Sequence, residues 1–335
     1  MPSSAIVVHP DFDAEWPFAA DHLRALWAGQ EDLRFVRLSN GDERPLAEIL
    51  AEPEAVTRLV SLGVRVRPED LAPFVALGEA VAYRATPEVV IAVEARGVTL
   101  HRHADEVYWG QSVAEFALGL TIAGLRRIPN KHRAILDGLD EWDYAPPIGQ
   151  GGPGGRGIQF GDDPRFTSGT VAGKRVRVVG AGNIGSRYAS FTRMLGADTA
   201  AWDPYAPDPG LHRAGTRREW HLDRLVSDAE IFAPMLPLTE TARSLVARPY
   251  IEALPRGCLV VLVTRAAICD MAALRERVSA DELALAADVF DIEPLPVDDP
   301  LLGRPNVVHT PHLAGRTIDA NREWAARLAA RFRPA

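Results

Sequence analysis

Cysteine is almost missing from the sequence, and no apolar run approaches the length of a membrane span. The 335 residues include only two cysteines, Cys258 and Cys269, in or beside an apolar stretch. Their spacing is unlike that of a metal site or a disulfide framework, so we expect buried thiols in a reducing compartment and no bound metal. A spanning helix needs about 20 consecutive apolar residues, so no membrane segment is predicted.

An excess of positive charge is also missing. Lysine and arginine number 37 against 45 aspartates and glutamates, which gives a formal net charge of −8. This balance disfavours nucleic acid or an anionic membrane as a partner. The opening residues Met1 to Ser4 carry no basic group of the kind found in secretory signals, so a cytoplasmic location is predicted.

Short apolar runs that alternate with helically spaced ones occur along the whole chain. This pattern predicts an α/β fold with parallel sheets covered on both faces, and the length suits two domains. Predicted strands cover 5–9, 33–38, 58–62, 80–83, 98–100, 176–179, 199–202, 231–233, 258–263, 285–290 and 306–310. Predicted helices cover 16–27, 46–50, 71–77, 87–96, 112–128, 186–195 and 316–331.

One predicted strand, 176–179, leads directly into a glycine turn and then a helix. The turn has the spacing Gly180, Gly182 and Gly185. In a dinucleotide-binding unit the first glycine allows a tight turn, the second lets the backbone approach a diphosphate, and the third lets helix and strand pack closely. The helix N-terminus then offers N–H groups to the phosphates.

An acidic residue stands at the end of the next predicted strand. Asp203 lies 18 residues beyond Gly185, the spacing expected of a carboxylate that binds the ribose hydroxyls of NAD and repels a 2′-phosphate. NAD is therefore the predicted cofactor. The alternative is a glycine-rich strand–helix turn that binds nothing.

Residues 145–173 contain the one stretch of biased composition. Glycine and proline dominate 146–155, which predicts an irregular loop. A solvated connector and a mobile flap over a neighbouring cleft are both compatible with this composition.

Three chemically capable residues follow successive predicted strands in the second half of the chain. Arg265, Glu293 and His312 come after the strands 258–263, 285–290 and 306–310. Ligands collect at the carboxyl ends of parallel strands. His312 is suited to exchange a proton with a hydroxyl or carbonyl, Glu293 to orient the imidazole, and Arg265 to hold a carboxylate. Each residue alone has an ordinary explanation as a surface or turn residue.

Several stretches together resemble the NAD-dependent D-isomer-specific 2-hydroxyacid dehydrogenases. The resemblance is carried by the glycine motif with Asp203-Pro204-Tyr205-Ala206, by Pro237-Leu238-Thr239-Glu240-Thr241, by 288–295 and by 306–312. It implies that Arg265, Glu293 and His312 are the catalytic residues. It also implies a set of cofactor-binding residues: Gly180, Gly182, Asn183, Ile184, Gly185, Asp203, Pro234, Met235, Thr239, Val263, Thr264 and Asp288.

The resemblance further implies a fold and an assembly. A Rossmann dinucleotide-binding domain would cover 112–311, and a discontinuous flavodoxin-like α/β substrate domain would combine 1–111 with a return helix in 312–335. The family usually dimerises through the cofactor domain and its long first helix, here 112–128, so a homodimer is expected.

The sequence departs from the family pattern mainly in the expected substrate domain. The usual glycine-rich loop is replaced by a shorter run containing Tyr83 and Arg84, and the next loop, 101–109, contains Arg102. We interpret Tyr83, Arg84 and Arg102 as candidate substrate-binding residues for an anionic small molecule. The alternative is that the two arginines are solvent-facing loop charges. Leu262 and Ala266 also replace the usual asparagine and glycine around Arg265.

The leading hypothesis is hydride transfer between NAD(H) and a 2-hydroxy or 2-oxo acid. Two alternatives remain open at this point. The same machinery could serve a phosphonate, a phosphite or a specialised acid, or the protein could bind NAD(H) without turnover.

Overall fold

The computed structural model describes residues 3–29, 32–103, 109–138, 140–142, 160–206 and 208–332. The glycine- and proline-rich run 146–155 lies outside these residues, as do positions 104–108 of the loop 101–109. The chain forms two compact units. Unit 1 combines Met1–Tyr108 with Arg316–Ala335, and unit 2 is Trp109–Gly315.

Unit 1 contains a five-stranded parallel sheet in the order β2-β1-β3-β4-β5. Its strands are β1 Ser3–Val8, β2 Leu33–Arg37, β3 Val56–Leu62, β4 Glu79–Ala82 and β5 Thr99–Leu100. Its first helices are α1 Pro10–Glu15, α2 Ala19–Leu26, α3 Leu46–Ile49 and α4 Pro87–Ala95, with 3-10 turns at Pro53–Ala55 and Pro68–Leu71. This strand order is that of flavodoxin-like folds.

Unit 2 contains a seven-stranded parallel sheet in the order β12-β11-β10-β9-β6-β7-β8. Its strands are β6 Arg175–Val179, β7 Asp198–Trp202, β8 Arg217–Arg218, β9 Ile231–Pro234, β10 Leu259–Leu262, β11 Ala284–Ala287 and β12 Val307–His309. Its helices are α5 Gly110–Arg126, α6 Ile128–Asp137, α7 Asn183–Met194, α8 Asp208–Ala214, α9 Leu222–Ser227, α10 Arg248–Ala253 and α11 Met271–Ser279. The order reverses between β6 and β9, as in a doubly wound Rossmann sheet.

Both faces of the unit 2 sheet are covered. One apolar cluster joins β9, β10 and β11 to α9, α10 and α11, and a second joins the sheet to α5 and α7. The central strands β9, β10 and β11 are buried at every position, which is why their sequences are continuous apolar runs rather than alternating ones.

The last helix, α12 Ile318–Ala329, returns to unit 1. Its Trp324 is buried and lies with its ring centroid 5.1 Å from Phe12 and 6.4 Å from Trp16. The side-chain oxygen of Asn321, also buried, accepts a hydrogen bond from the backbone of Phe18 at 3.2 Å. Residues from both ends of the chain therefore form one core.

The predicted fold class, a Rossmann domain plus a discontinuous flavodoxin-like domain, is confirmed. Two predicted helices are wrong in detail. The predicted helix 16–27 is shortened to α2, which begins at Ala19 after Pro17, and the predicted helix 71–77 is replaced by a 3-10 turn that ends at Leu71. Proline lacks an N–H donor, and Pro73 stands inside the second segment. Among the described residues, no helix is both long and apolar enough to cross a membrane.

Candidate active site

The glycine turn follows β6, and its backbone geometry accounts for the glycines. Gly180 has φ +100°, and a Cβ atom there would lie 2.9 Å from the carbonyl oxygen of Met235. A Cβ atom at Gly185 would lie 2.0 Å from the carbonyl oxygen of Gly180. Both positions therefore require glycine for the turn to close.

Gly182 differs because a Cβ atom there would meet no atom within 4 Å. It is exposed and caps the N-terminus of α7, next to the half-buried Asn183 and Ile184. The opening in front of Gly182 and its place at the N-terminus of a helix fit the diphosphate of a dinucleotide.

Asp203 follows β7 and organises the loop beyond it. One carboxylate oxygen accepts hydrogen bonds from the backbone N–H groups of Tyr205 and Ala206, both at 2.9 Å, and the other accepts from Ala181 at 2.8 Å. The last bond joins the carboxylate to the glycine turn itself. The two parts of the sequence motif are thus in direct contact.

An arginine that the sequence interpretation missed borders the same loop. Arg218 of β8 donates from Nη2 to the carbonyl oxygen of Ala206 at 3.1 Å, and its guanidinium lies 4.7 Å from the ring centroid of Trp220. Its position beside Asp203 depends on the pairing of β7 with β8, a two-residue strand with no apolar pattern.

The predicted cofactor residues after β9 and β10 are largely buried. Pro234, Met235, Val263 and Thr264 are all buried, and the Thr264 hydroxyl donates to the carbonyl oxygen of Pro234 at 3.3 Å. Thr239 is exposed, and its hydroxyl accepts from the backbone of Ala242 at 3.1 Å. Any contact of the first four residues with a ligand would therefore involve mainly backbone atoms.

Glu293 and His312 form a hydrogen-bonded pair after β11 and β12. Oε2 of Glu293 lies 2.7 Å from Nδ1 of His312, and the other oxygen accepts a hydrogen bond from the backbone of Phe290 at 2.8 Å. The two side chains are 35% and 47% exposed, so the imidazole is accessible. A carboxylate can only accept, so Nδ1 carries the hydrogen and Nε2 is the nitrogen that can take up or release a proton.

Asp288 holds the turn that carries His312. Its carboxylate accepts from the Thr310 hydroxyl at 2.7 Å and from the backbone N–H groups of Leu313 and Ala314 at 3.0 and 2.9 Å. His312 itself has φ +56°, a left-handed conformation that is unfavourable for histidine by about 1–2 kcal/mol. Asp288 is fully buried, so its bonds to this turn are shielded from water.

Arg265 follows β10, the strand beside β11. It is exposed, and its Nη1 donates to the carbonyl oxygen of Thr264 at 2.6 Å. The structure thus joins Glu293 to His312 directly and places Arg265 after the neighbouring strand, where it forms no hydrogen bond with either residue of the pair.

Comparison with known proteins identifies the family. Residues 118–314 match the model of the D-isomer specific 2-hydroxyacid dehydrogenase NAD-binding domain. The chain belongs to this dehydrogenase family. The resemblance that the motifs suggested is therefore confirmed, and unit 2 contains the NAD-binding domain, in agreement with the predicted cofactor.

Relatives of the chain include a dehydrogenase and a reductase. It is 30% identical over 210 residues to D-3-phosphoglycerate dehydrogenase of Archaeoglobus fulgidus, covering 62% of this chain and 36% of that protein. It is 29% identical over 221 residues to hydroxypyruvate reductase of Thermotoga maritima, covering 65% and 64%. The chain thus spans about a third of the length of the first relative and less than two thirds of the second.

A solved structure extends the likeness to both units of the chain. A D-isomer specific 2-hydroxyacid dehydrogenase from Xanthobacter autotrophicus Py2, in complex with NADPH and MES, is 25% identical. It matches with a TM-score of 0.61 over 98% of this chain and 96% of that one.

The predicted substrate residues lie in unit 1. The Tyr83 hydroxyl donates to Glu15 at 3.1 Å and accepts from the Trp16 indole at 3.4 Å, and burial raises the pKa of Tyr83. Arg84 has φ +61°, is 72% exposed and contacts Glu15 at 3.0 Å. Arg316 contacts the same carboxylate at 2.9 Å. Arg102 is exposed.

Proposed function

We propose that this dehydrogenase is an NAD(H)-dependent oxidoreductase acting on a 2-hydroxy acid or the corresponding 2-oxo acid. The observation that carries the proposal is the 2.7 Å contact between Glu293 and His312 after the last two strands of the sheet that also bears the glycine turn. An oriented imidazole at the carboxyl edge of a dinucleotide-binding sheet is suited to proton exchange with a hydroxyl or carbonyl.

Each residue of the proposed site has a distinct role. His312 donates a proton from Nε2 during reduction and accepts one during oxidation. Glu293 holds the ring through Nδ1 and stabilises its charged form. Arg265 binds the substrate carboxylate through its guanidinium fork. NAD(H), when bound, supplies or accepts the hydride.

The proposed cofactor contacts follow the geometry of the turn. Gly182, Asn183 and Ile184 would face the diphosphate, and Asp203 would meet the adenosine ribose. A carboxylate there disfavours a 2′-phosphate, so we propose NAD rather than NADP as the preferred form. Because Arg218 lies beside the same loop, the affinities for NADH and NADPH should be compared directly.

We also propose that the substrate is anionic and that unit 1 contributes to its recognition. Arg84 and Arg316 share one carboxylate, that of Glu15, so this exposed cluster has an excess of positive charge. Arg84 is better supported than Tyr83 as a substrate residue, because its side chain is 72% exposed whereas Tyr83 is half-buried. We interpret unit 1 as the substrate domain on this basis.

A turnover screen tests the function. Purified protein is assayed with a panel of 2-oxo acids and phosphorus oxyacids, each with NADH, NADPH or the oxidised cofactor. We expect NADH-dependent reduction of at least one 2-oxo acid. His312→Ala should lower kcat by about 100-fold or more, the usual contribution of a general acid, and leave NADH binding within about twofold.

The matched control is His309→Ala, an exposed histidine three residues earlier on β12. It should retain the kcat of the wild-type protein. Equal activity of His312→Ala and wild type would exclude the assigned role of His312. NADH binding without turnover of any panel member would favour a non-catalytic protein instead.

We further propose a cytoplasmic location and a homodimer formed through unit 2, with α6 rather than the expected helix 112–128 as the contact surface. Ile128, Ile135 and Leu136 of α6 are 51%, 45% and 71% exposed, which supports a covering partner.

The cysteines support the proposed cytoplasmic location. Cys258 and Cys269 are buried and unpaired, as is usual in a reducing compartment.

A further inference from the structure

The loop that carries Glu293 is anchored by a single arginine from a neighbouring helix. Arg275 of α11 contacts Asp291 and Asp299, which lie on either side of Glu293 in the chain. Its Nε and Nη2 donate to one oxygen of Asp291 at 3.0 and 2.6 Å. Its Nη1 lies 3.0 and 2.9 Å from the two oxygens of Asp299.

The contacts of Arg275 are partly shielded from water. The side chain of Arg275 is 20% exposed, that of Asp291 32% and that of Asp299 6%. Asp299 also accepts a hydrogen bond from the backbone of Leu301 at 2.9 Å. The hydrogen bond to Asp291 is the largest of the contacts that raise the pKa of Arg275. Multidentate, charge-assisted bonds of this kind fix geometry as well as adding free energy.

Apolar burial does little to hold the segment between the two aspartates. From 291 to 298 every residue is exposed except Leu295, which is half-buried. Ile292 and Val297 are 56% and 97% exposed. A segment with so few buried side chains opens easily unless polar contacts restrain it. Arg275 supplies polar contacts at both ends of this segment.

We propose that Arg275 is a positioning residue that keeps Glu293 within hydrogen-bond distance of His312. This inference rests on the proposed function of that pair. Arg275 bonds Asp291, two residues before Glu293, and Asp299, six residues after it. Loss of the arginine would release the segment on both sides of the carboxylate. The Glu293–His312 contact would then be populated less often.

The test is a double-mutant cycle between Arg275 and Glu293. Arg275→Met keeps the length of the side chain and removes its charge and donors. We expect it to lower kcat by about tenfold, because misplacement of a catalytic group by about 1 Å can cost up to 100-fold, with NADH affinity within about twofold of wild type. Arg275→Lys should recover part of kcat. In a Glu293→Gln background, Arg275→Met should cause no further loss.

The matched control is Arg248→Met. Arg248 also forms an ion pair with α11, through Glu276 at 2.7 Å, but does not contact the loop of Glu293. It should retain wild-type kcat. An equal loss from Arg275→Met in the wild-type and Glu293→Gln backgrounds would show that Arg275 acts independently of Glu293 and would overturn the inference.

Hydrogen exchange separates this inference from the proposed function. If the wild-type protein shows no turnover, the proposed function is excluded. Hydrogen exchange still tests whether Arg275 restrains the loop of Glu293. Amides in 290–299 should exchange faster in Arg275→Met than in wild type or Arg248→Met. Unchanged exchange there would overturn the inference, whatever the activity.

Discussion

At the scale of single residues, polar groups are fixed by partners that lie far away in the sequence. Asp288 supports His312, Arg275 anchors the loop of Glu293, and Arg218 reaches the loop after Asp203. Glu293 and His312 could be predicted as candidate site residues because each follows an apolar strand. Their supporting partners could not, because an arginine on a helix such as α11 has no pattern that distinguishes it from a solvated charge.

Protonation of His103 in unit 1 opposes folding. Its ring centroid lies 4.7 Å from that of Trp324. Burial lowers the pKa of His103 from 6.5 to about 4, and Arg331 and Arg327 add to the effect. Between about pH 4 and pH 6.5, the unfolded chain therefore binds a proton at His103 that the folded protein does not bind. Stability contributed by neutral His103 is complete above pH 6.5 and declines as the pH falls toward 4.

We predict that His103→Phe reduces the acid sensitivity of the protein. Phenylalanine keeps an aromatic ring beside Trp324 and cannot be protonated. Because the histidine is only partly shielded, we expect a gain of about 1 kcal/mol at acidic pH, or roughly 2–4 °C in Tm. Thermal unfolding of both proteins at pH 5 and pH 8 measures this. A variant with the same loss of Tm between the two pH values as wild type would contradict the prediction.

At the scale of secondary-structure elements, apolar runs predicted strands better than apolar spacing predicted helices. Every predicted strand corresponds to an observed one within a few residues, because buried parallel strands need continuous apolar sequence. In the wrongly predicted helix 71–77, Phe74 and Leu77 are buried and Val75 is exposed. The apolar spacing therefore does mark buried residues, but the backbone there forms turns instead of a helix. The helix α6 was not predicted, since none of its residues is buried.

At the junction of β6 with α7, the packing role of Gly185 can be separated from the ligand-binding role of Gly182. At Gly185 a methyl group would collide with the carbonyl oxygen of Gly180, so Gly185→Ala should destabilise the protein by about 1–3 kcal/mol. At Gly182, with φ −70° and ψ −158°, alanine is sterically allowed. We predict that Gly182→Ala keeps the wild-type Tm but binds NADH at least about tenfold more weakly, a loss of about 1.4 kcal/mol.

Thermal unfolding and titration of NADH fluorescence measure the two effects. Each variant serves as the control for the other, since they differ in position by three residues within one turn. Wild-type NADH affinity in Gly182→Ala would mean that the diphosphate does not approach this residue. A wild-type Tm in Gly185→Ala would contradict the assigned packing role.

At the scale of the whole molecule, the chain crosses from unit 1 to unit 2 and back. The sheet of unit 1 is complete by Leu100, yet its aromatic core includes Trp324 and Phe332 from the last segment. Periodicity alone predicts a final helix without showing where it packs. Only the family resemblance assigned it to the first domain, because a sequence pattern carries no information about contacts between distant segments.

The surface of unit 2 leads to a prediction about assembly. Ile128, Ile135 and Leu136 have the spacing i, i+7 and i+8, so they form one stripe along α6. An exposed apolar stripe on a helix without any buried residue is stabilised when a partner covers it. We predict that the wild-type protein has the mass of two chains and that the double variant Ile135→Glu/Leu136→Glu has the mass of one. Light scattering coupled to size-exclusion chromatography measures both.

The control for assembly is Ile91→Glu, which places the same charge on α4 of unit 1 at a position that is 66% exposed. It should keep the mass of two chains, because its surroundings lack the stripe of α6. A wild-type protein with the mass of one chain at micromolar concentration would refute the dimer. If the double variant kept the mass of two chains, the contact surface would have to lie elsewhere. If wild type and Ile91→Glu both have the mass of two chains and the double variant has the mass of one, the interface is assigned to α6. Only in the double variant does the added charge lie on the surface that the second chain would cover.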